Sequence, residues 1–377
     1  MNARITLGAC GGLLLASSAG LLVAGPLNPP AGTVASSYKT LNEVEPRIAI
    51  NANNTPGDAN SVFRITEPGS YYLTGNLDVG NGKSGIEIAA DRVTIDLNGF
   101  SINGSASSLD GISTAGQPRR SIVVRNGTIR GFGDGGVDLL ASVASNFTTA
   151  NGHLLEDLVV AECNNGLRMD SGIVRNCAAS DCTAYGIYAF GWTSGDVLIE
   201  GCVASRNLIG ISVGNGIIRE CVARLNPDTG IVVGNTGSIE ACHSEENGWG
   251  YGGAQFQLLN SVAHNNTTGG AYANAATVIR GNRIGSKTLV ADSVGLSVGN
   301  TGTHIEGNTI VRQSTAVKVL GINNIVVGNT ISACPTAINA VAGNRIGPIV
   351  VGTSSQAING NSGGGLGTTD PYANILY

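Results

Sequence analysis

The sequence predicts an all-β solenoid, a single-stranded parallel β-helix of about twelve coils. A glycine followed by an apolar residue returns roughly every 20 residues, which is typical of a repeat architecture. Each repeat holds a second short apolar segment, and Gly, Asn and Asp turns separate the segments, as expected of strands. No stretch has a helical period long enough to compete. The repeats begin at Gly85, Gly111, Gly136, Gly166, Gly186, Gly210, Gly230, Gly250, Gly270, Gly295, Ala316 and Ala337.

An anchor position in the second segment is predicted to face the interior. An apolar residue stands three positions before it in every repeat, and the anchors are small or polar. Stacked asparagines satisfy their amides by hydrogen bonding along the axis, and cysteine serves as a small hydrophobe. The anchors are Cys177, Cys202, Cys221, Cys242, Ser261, Asn282, Asn308 and Asn329.

The position two residues before the anchor is predicted to face solvent. Its charges alternate in sign down most of the coils, as stacked neighbours of opposite charge attract. This order favours an ion-pair ladder over catalytic groups. The column reads Arg125, Glu156, Arg175, Glu200, Arg219, Glu240, Leu259, Arg280 and Glu306.

Residues 85–104, with the sequence GIEIAADRVTIDLNGFSING, resemble the opening coils of the right-handed parallel β-helix superfamily. That superfamily includes pectate lyases, polygalacturonases, phage tailspikes and a periplasmic copper-insertion maturation protein. The resemblance covers roughly residues 60–356. It implies a right-handed solenoid, in keeping with the usual handedness of parallel crossovers, and it implies no particular activity.

The two ends differ in composition from the repeats. Arg4 followed by the apolar run 13–23 is typical of a secretory signal, and the run is too short for a stable membrane span. Leu41, Val44 and Ile48 lie on one face of a short predicted capping helix. The predicted organisation is a signal peptide (1–24), an extended leader (25–39), an N-terminal cap with the first coil (40–84), the β-helix (85–356) and a C-terminal tail or cap (357–377).

This organisation predicts a secreted protein, extracellular or periplasmic. Secretion permits disulfides, and seven of the eight cysteines follow the signal. Because four of them share the interior anchor column, we expect a stack of reduced thiols. A bridge between Cys177 and Cys182, which belong to one coil, is the alternative.

Composition and motifs exclude several functions. A net charge of −5 with 12% charged residues does not favour nucleic-acid binding. The Arg-Pro motifs of pectate lyases and the grouped aspartates of polygalacturonases are missing, so we expect no catalytic residues of those types. The four histidines fall in different coils without metal-ligand spacing. We therefore expect neither metal nor cofactor, and no role in copper handling.

One outward column carries a mixture of acids, an arginine and aromatic side chains. It lies two residues after the repeat glycines, on successive coils of one sheet. Sugars stack on aromatic rings while polar groups fix their orientation, so a glycan groove is one hypothesis and a further ion-pair ladder is the other. The candidate ligand-binding residues are Asp138, Arg168, Asp170, Tyr188, Phe190, Trp192 and Tyr272.

A second row places Arg224, Glu245 and His264 on neighbouring coils. A carboxylate beside a histidine can serve in acid–base catalysis, although such a row also suits a solvated ion-pair ladder.

The leading hypothesis is a non-enzymatic protein that binds an extended polysaccharide on its exposed sheet. The first alternative is a polysaccharide lyase or glycoside hydrolase with an atypical site around Asp138, Arg168 and Asp170. The second is a structural surface or fibre protein, for which homo-trimers would be expected. The sequence leaves the oligomeric state open.

Overall fold

The computed structural model describes residues 45–141, 151–191, 197–351 and 369–377. All regular structure in these ranges is β, so none of these residues belongs to a helix that could cross a membrane. The strands are β1 (Ile48–Ala49), β2 (Ser61–Ile65), β3 (Gly69–Tyr72), β4 (Leu77–Asp78), β5 (Ser84–Ile88), β6 (Val93–Asp96), β7 (Ser101–Asn103), β8 (Ile112–Ser113), β9 (Val123–Arg130), β10 (Gly135–Leu139), β11 (His153–Ala161), β12 (Asn165–Met169), β13 (Gly172–Arg175), β14 (Ala178–Ser180), β15 (Tyr185–Ala189), β16 (Val197–Glu200), β17 (Val203–Ser205), β18 (Ile209–Arg219), β19 (Val222–Arg224), β20 (Thr229–Glu240), β21 (His243–Glu245), β22 (Trp249–Leu259), β23 (Val262–His264), β24 (Gly269–Ala273), β25 (Val278–Arg280), β26 (Arg283–Val298), β27 (His304–Glu306), β28 (Thr309–Val319), β29 (Ile325–Val327), β30 (Thr330–Ser332), β31 (Thr336–Ala340), β32 (Arg345–Ile346), β33 (Ile349–Val351) and β34 (Asn374–Leu376).

These strands stack in parallel as the coils of a solenoid with about 14 turns, close to the predicted twelve. The first sheet begins β2–β5–β8–β10–β12–β15 and continues to β31. The second begins β1–β3–β6–β9–β11–β13, and the third begins β4–β7–β9–β11–β14–β17. Long strands such as β20 bend and serve two sheets.

The interior is a continuous apolar column that each coil extends by a few side chains. Ile199, Ile218 and Ile239 of the second sheet are register partners, and all three are fully buried. No coil buries these side chains alone, because each is covered only by the coils above and below it. Pairing of successive coils therefore makes the core.

The predicted asparagine ladder is confirmed along the interior anchor column. The amide of Asn282 donates to Asn308 Oδ1 at 2.9 Å, and the amide of Asn308 donates to Asn329 Oδ1 at 3.0 Å. Asn329 in turn donates to Asn374 of β34 at 3.1 Å, so the last described strand extends the ladder. A second buried ladder, not predicted, follows the third sheet and consists of Asn207, Asn226, Asn247 and Asn266.

Single residues with positive φ form the corner between the second and third sheets. Asn176, Glu220 and Ala241 have φ values of 52°, 55° and 50°, and each directly precedes an anchor. This left-handed conformation turns the chain within one residue, so that the anchor side chain enters the interior.

The thiol stack is confirmed. All seven described cysteines are free, and the backbone N–H of Cys202 donates to Cys221 Sγ at 3.5 Å. Cys177 and Cys182 stand at opposite ends of β14, so the alternative bridge between them does not form.

The predicted register of the outward charge column is confirmed, since Arg175 and Glu200 are direct partners on neighbouring strands. Not every neighbouring pair in the column closes to ion-pair distance. The pairs that do are Arg125–Glu156 (3.9 Å), Arg175–Glu156 (2.5 Å), Arg219–Glu200 (2.7 Å) and Arg280–Glu306 (2.7 Å).

The chain divides into two compact units, Met1–Pro46 and Arg47–Tyr377, and the coils lie in the second. Ile48 lies in β1 and pairs with Tyr71, so the capping helix expected over Leu41, Val44 and Ile48 is wrong at Ile48. Its other two residues, like the predicted signal and leader, lie outside the described ranges. At the other end, β34 joins the third sheet beside β30.

Candidate functional site

The outward column of the first sheet has the register that the repeat glycines predict. Asp138 pairs with Arg168, and Arg168 pairs with Tyr188. The column then continues through smaller residues to Tyr272. In order it reads Arg64, Glu87, Ser113, Asp138, Arg168, Tyr188, Ser212, Val232, Gly252, Tyr272, Ser297, Lys318 and Asn339.

A bend at each repeat glycine adds a second outward column to this sheet. Tyr185 and Tyr188 are three residues apart, which in a regular strand would place them on opposite faces, yet their rings are in contact at 4.9 Å. The intervening Gly186 has no room for a Cβ, which would overlap Asn207 and the Gly210 backbone. The residue before each glycine therefore faces the same way as the residue two after it.

This bend brings three carboxylates together in an acidic patch, formed by Asp110, Asp134 and Asp138. One oxygen of each lies within 4.8 Å of the others. Arg168 spans two of them, with one guanidinium nitrogen 3.3 Å from Asp134 and another 3.5 Å from Asp138. The carboxylate of Asp110 accepts the Gly135 N–H at 2.8 Å. Three such carboxylates could also ligate a divalent cation through oxygen.

The acids of this region differ in their affinity for protons. Burial, reinforced by the charge of Asp138, raises the pKa of Asp110 to about 7. Burial also raises the pKa of Asp138, although the Arg168 guanidinium opposes the shift. The pKa of Asp170 is raised to about 6, mainly by burial. Asp110 can thus hold a proton near neutral pH, beside Asp138, whose pKa burial raises and the Arg168 guanidinium opposes.

An aromatic cluster adjoins the acidic patch. Tyr188 contacts Tyr185, and it meets Phe190 edge-on with 5.9 Å between ring centroids. All three rings are half-buried. Burial raises the pKa of Tyr188 to about 12, so its hydroxyl stays protonated at neutral pH.

A second aromatic pair lies farther along the same face. Trp249 and Tyr272 meet edge-on at 5.4 Å. The Tyr272 ring lies over Gly252, where any Cβ would overlap it, and the Trp249 ring lies over Gly269 in the same way. The glycines thus form a flat backbone platform that holds both rings against the sheet.

A pocket of about 330 Å³ continues the site toward the N-terminus. Its walls include Asp110 and Ser113, together with Arg64 and Glu87, which pair at 2.9 Å. Polar groups therefore line the outward column on both sides of the acidic patch.

The structure places the predicted ligand-binding residues in different settings. It brings Asp138, Arg168, Tyr188 and Phe190 together, and it places Tyr272 four coils farther on. Asp170 is only 4% exposed, and its carboxylate accepts the Ala141 N–H at 2.8 Å, so it lies beneath the surface. Trp192 lies outside the described residues.

Sequence reasoning missed Asp110, Tyr185 and Trp249, which directly precede repeat glycines, and Asp134, which stands two before one. Strict two-residue alternation would turn the residue before the glycine inward. A polar or aromatic residue immediately before the glycine was the available signal.

The second predicted row is also present. Arg224, Glu245 and His264 are register partners on the third sheet. Nδ1 of His264 lies 3.1 Å from Glu245, and this hydrogen bond lowers the pKa of Glu245. Within this row, the Glu245–His264 contact is of the kind expected in an ion-pair ladder.

No family model and no curated protein matches the chain. Among solved structures, it is similar to the A-module of the mannuronan C-5 epimerase AlgE4 of Azotobacter vinelandii. The TM-score is 0.61 and the identity 17%, over 74% of this chain and 90% of that chain. The A-module of AlgE6 from the same organism gives a TM-score of 0.60 at 18% identity, over 74% and 91%. This likeness shows the fold, a right-handed parallel β-helix as predicted.

Proposed function

We propose that the protein binds an extended polysaccharide along the first sheet, in a sheet groove formed by Tyr188, Ser212, Val232, Gly252 and Tyr272. The observation that carries this proposal is the pair of aromatic clusters at the two ends of this segment of the outward column. Only small side chains separate them, over four coils or roughly 19 Å at the usual strand spacing.

The chemistry of the groove suits a sugar polymer. Half-buried rings offer apolar faces on which sugar rings stack, while Arg168 and the acidic patch supply hydrogen bonds at one end. The similar epimerase modules carry the name of a polysaccharide, mannuronan, which supports a glycan ligand by analogy. Such a ligand accords with the secreted location that residues 1–24 predict.

Binding can be tested with immobilised neutral and acidic polysaccharides. We expect Tyr188→Ala and Tyr272→Ala each to weaken binding about tenfold, or about 1.4 kcal/mol, through loss of a stacking surface. Tyr372→Ala is the matched control, because Tyr372 is 60% exposed and lies outside the groove. Absence of binding to every polymer, or an equal loss in the control, would contradict the proposal.

A second candidate is a polysaccharide lyase or hydrolase that uses the acidic patch. It is favoured by the contrast between Asp110, with a pKa near 7, and Asp138, which is in contact with Arg168. Two adjacent carboxyl groups, only one of which contacts an arginine, form a pair suited to acid–base catalysis of either reaction.

Release of reducing ends, or absorbance of unsaturated uronates, would reveal this activity. Asp138→Asn should then reduce it at least about a hundredfold, as loss of an acid–base group does. Asp292→Asn, on the exposed surface, should leave it unchanged. Full activity in Asp138→Asn would exclude the patch as the catalytic centre.

A further inference from the structure

A pocket of about 170 Å³ lies on the third sheet, away from the groove. Arg283, Lys287 and Arg312 line it, and all three are exposed. We call these residues, with Gly285 between them, the basic pocket. Its concentration of positive charge is unexpected in a chain with a net charge of −5.

The pocket exists because a side chain is missing from an outward column. Glu245, His264, Gly285 and Val311 are successive register partners. Gly285 leaves a notch between the side chains of its two neighbours. A Cβ at this position would lie 3.2 Å from the Val311 carbonyl oxygen, so even alanine would be tight.

The cations of the basic pocket form no ion pair within 4.0 Å with any described residue. Many other arginines, such as Arg219 and Arg280, contact a carboxylate on the next coil. The nearby acid, Glu245, is hydrogen-bonded to His264, although Lys287 contributes to lowering its pKa. Three cations that line one pocket, with no acid among its lining residues, favour a bound anion.

We propose that the basic pocket binds one tetrahedral oxyanion, a sulfate or phosphate ester carried by a polymer. The volume equals that of about five or six water molecules, which accommodates one such group with some solvent. Two arginines and a lysine that line the pocket supply charge-assisted donors. A single compact pocket favours an isolated ester over the regular row of phosphates in a nucleic acid.

The test compares dextran sulfate with uncharged dextran, using the whole protein. We expect binding of dextran sulfate only, weakening as salt rises from about 50 to 200 mM. Arg283→Gln combined with Lys287→Gln should weaken it about tenfold or more. Competition with inorganic sulfate and with inorganic phosphate distinguishes a sulfate ester from a phosphate ester. The ion that displaces dextran sulfate at the lower concentration identifies the preferred ester.

Lys318→Gln is the control, because it removes a positive charge from the first sheet. It should change affinity less than about twofold. Circular dichroism and thermal unfolding establish that the variants are folded. An equal loss in Lys318→Gln, failure of both ions to compete, or equally tight binding of a single-stranded oligonucleotide would each overturn the proposal. The groove variants Tyr188→Ala and Tyr272→Ala leave the basic pocket intact. If they bind polysaccharide as tightly as the wild type, the test of the basic pocket is unaffected.

Discussion

Asp110 shows how the fold changes the chemistry of one side chain. Its carboxyl is buried beside Asp138, yet it still accepts a backbone hydrogen bond. Because its pKa rises from 3.8 to about 7, the protonated form favours the folded state. The resulting stability is fully present below the unfolded pKa and is lost as the pH rises toward 7.

We predict that Asp110→Asn flattens the dependence of stability on pH. Asparagine keeps the acceptor for the Gly135 N–H but cannot ionise. Between about pH 4 and 7.5 the wild type should lose more unfolding free energy than the variant, by about 1–3 kcal/mol. Urea unfolding at both pH values measures this difference.

Asp292→Asn is the control for that experiment. Asp292 has φ = 56°, which asparagine also tolerates, and it lies on the exposed surface. The unfolding free energy of Asp292→Asn should match that of the wild type at both pH values. If the unfolding free energies of the wild type and Asp110→Asn change with pH in parallel, folding does not raise the pKa of Asp110.

Thiol reactivity should separate Cys334 from the stack. Cys202 and Cys221 are at most 1% exposed, whereas Cys334 is partly accessible. In native buffer we expect a thiol reagent to label Cys334 at least about ten times faster than these two. Mass spectrometry of the labelled peptides identifies the sites, and equal labelling would contradict the closed interior.

The site was predictable from sequence only in part. The two-residue alternation after each glycine placed Asp138, Arg168 and Tyr188 in one column. It could not place Asp110, because the bend that turns this residue outward arises from close approach of the glycine backbone to the next coil. Burial of Asp170 also depends on a neighbouring coil, through its bond to Ala141.

Among the structural elements, the charge ladder should contribute little to stability. Arg219 and Glu200 pair at 2.7 Å, but their side chains remain 45% and 31% exposed. A double-mutant cycle with Arg219→Gln and Glu200→Gln should give a coupling of about 0.2–1 kcal/mol, falling in high salt. Coupling above about 2 kcal/mol would show that solvent screens the pair less than its exposure implies.

The asparagine ladder should contribute more. Asn308→Ala removes the acceptor of the buried Asn282 backbone N–H and the side-chain donor to the Ile279 carbonyl. We expect a loss of about 2–4 kcal/mol in unfolding free energy, measured by urea titration. Asn339→Ala, on the exposed first sheet, should cost less than about 0.5 kcal/mol. A similar loss in both variants would contradict a role for the ladder.

The strands were predictable because their period is short and repeated. The corners were less so, since residues such as Glu220 and Ala241 have no intrinsic preference for positive φ, and only stacking on the coil below selects it. At Ile48, by contrast, a local sequence pattern predicted the wrong secondary structure. The spacing of Ile48 from Leu41 suits a helix, but pairing with Tyr71 makes it extended.

For the molecule as a whole, we predict graded stability along the axis. The inner residues of β16, β18 and β20 are fully buried, whereas β31 and β32 hold no fully buried residue. Amides of β31 and β32 should therefore exchange with deuterium at least about a hundredfold faster than those of the central coils. Hydrogen-exchange mass spectrometry measures this ratio, and uniform protection would indicate all-or-none unfolding.

The overall architecture was predictable because one rule, repeated many times, averages out local exceptions. A single misjudged residue does not alter the period. The predicted number of coils was slightly lower than the observed number. Strands N-terminal to Gly85, such as β2 and β3, follow the same stacking without the repeat signature.

The glycine bends carry a consequence for the evolution and design of this surface. Coils of the first sheet carry two outward positions, one immediately before the repeat glycine and one two residues after it. Exchanging both on a chosen turn would shift a cluster of functional groups along the long axis in steps of one strand spacing. New binding specificities could thus arise by substituting pairs of surface residues, while the buried residues beneath them stay unchanged.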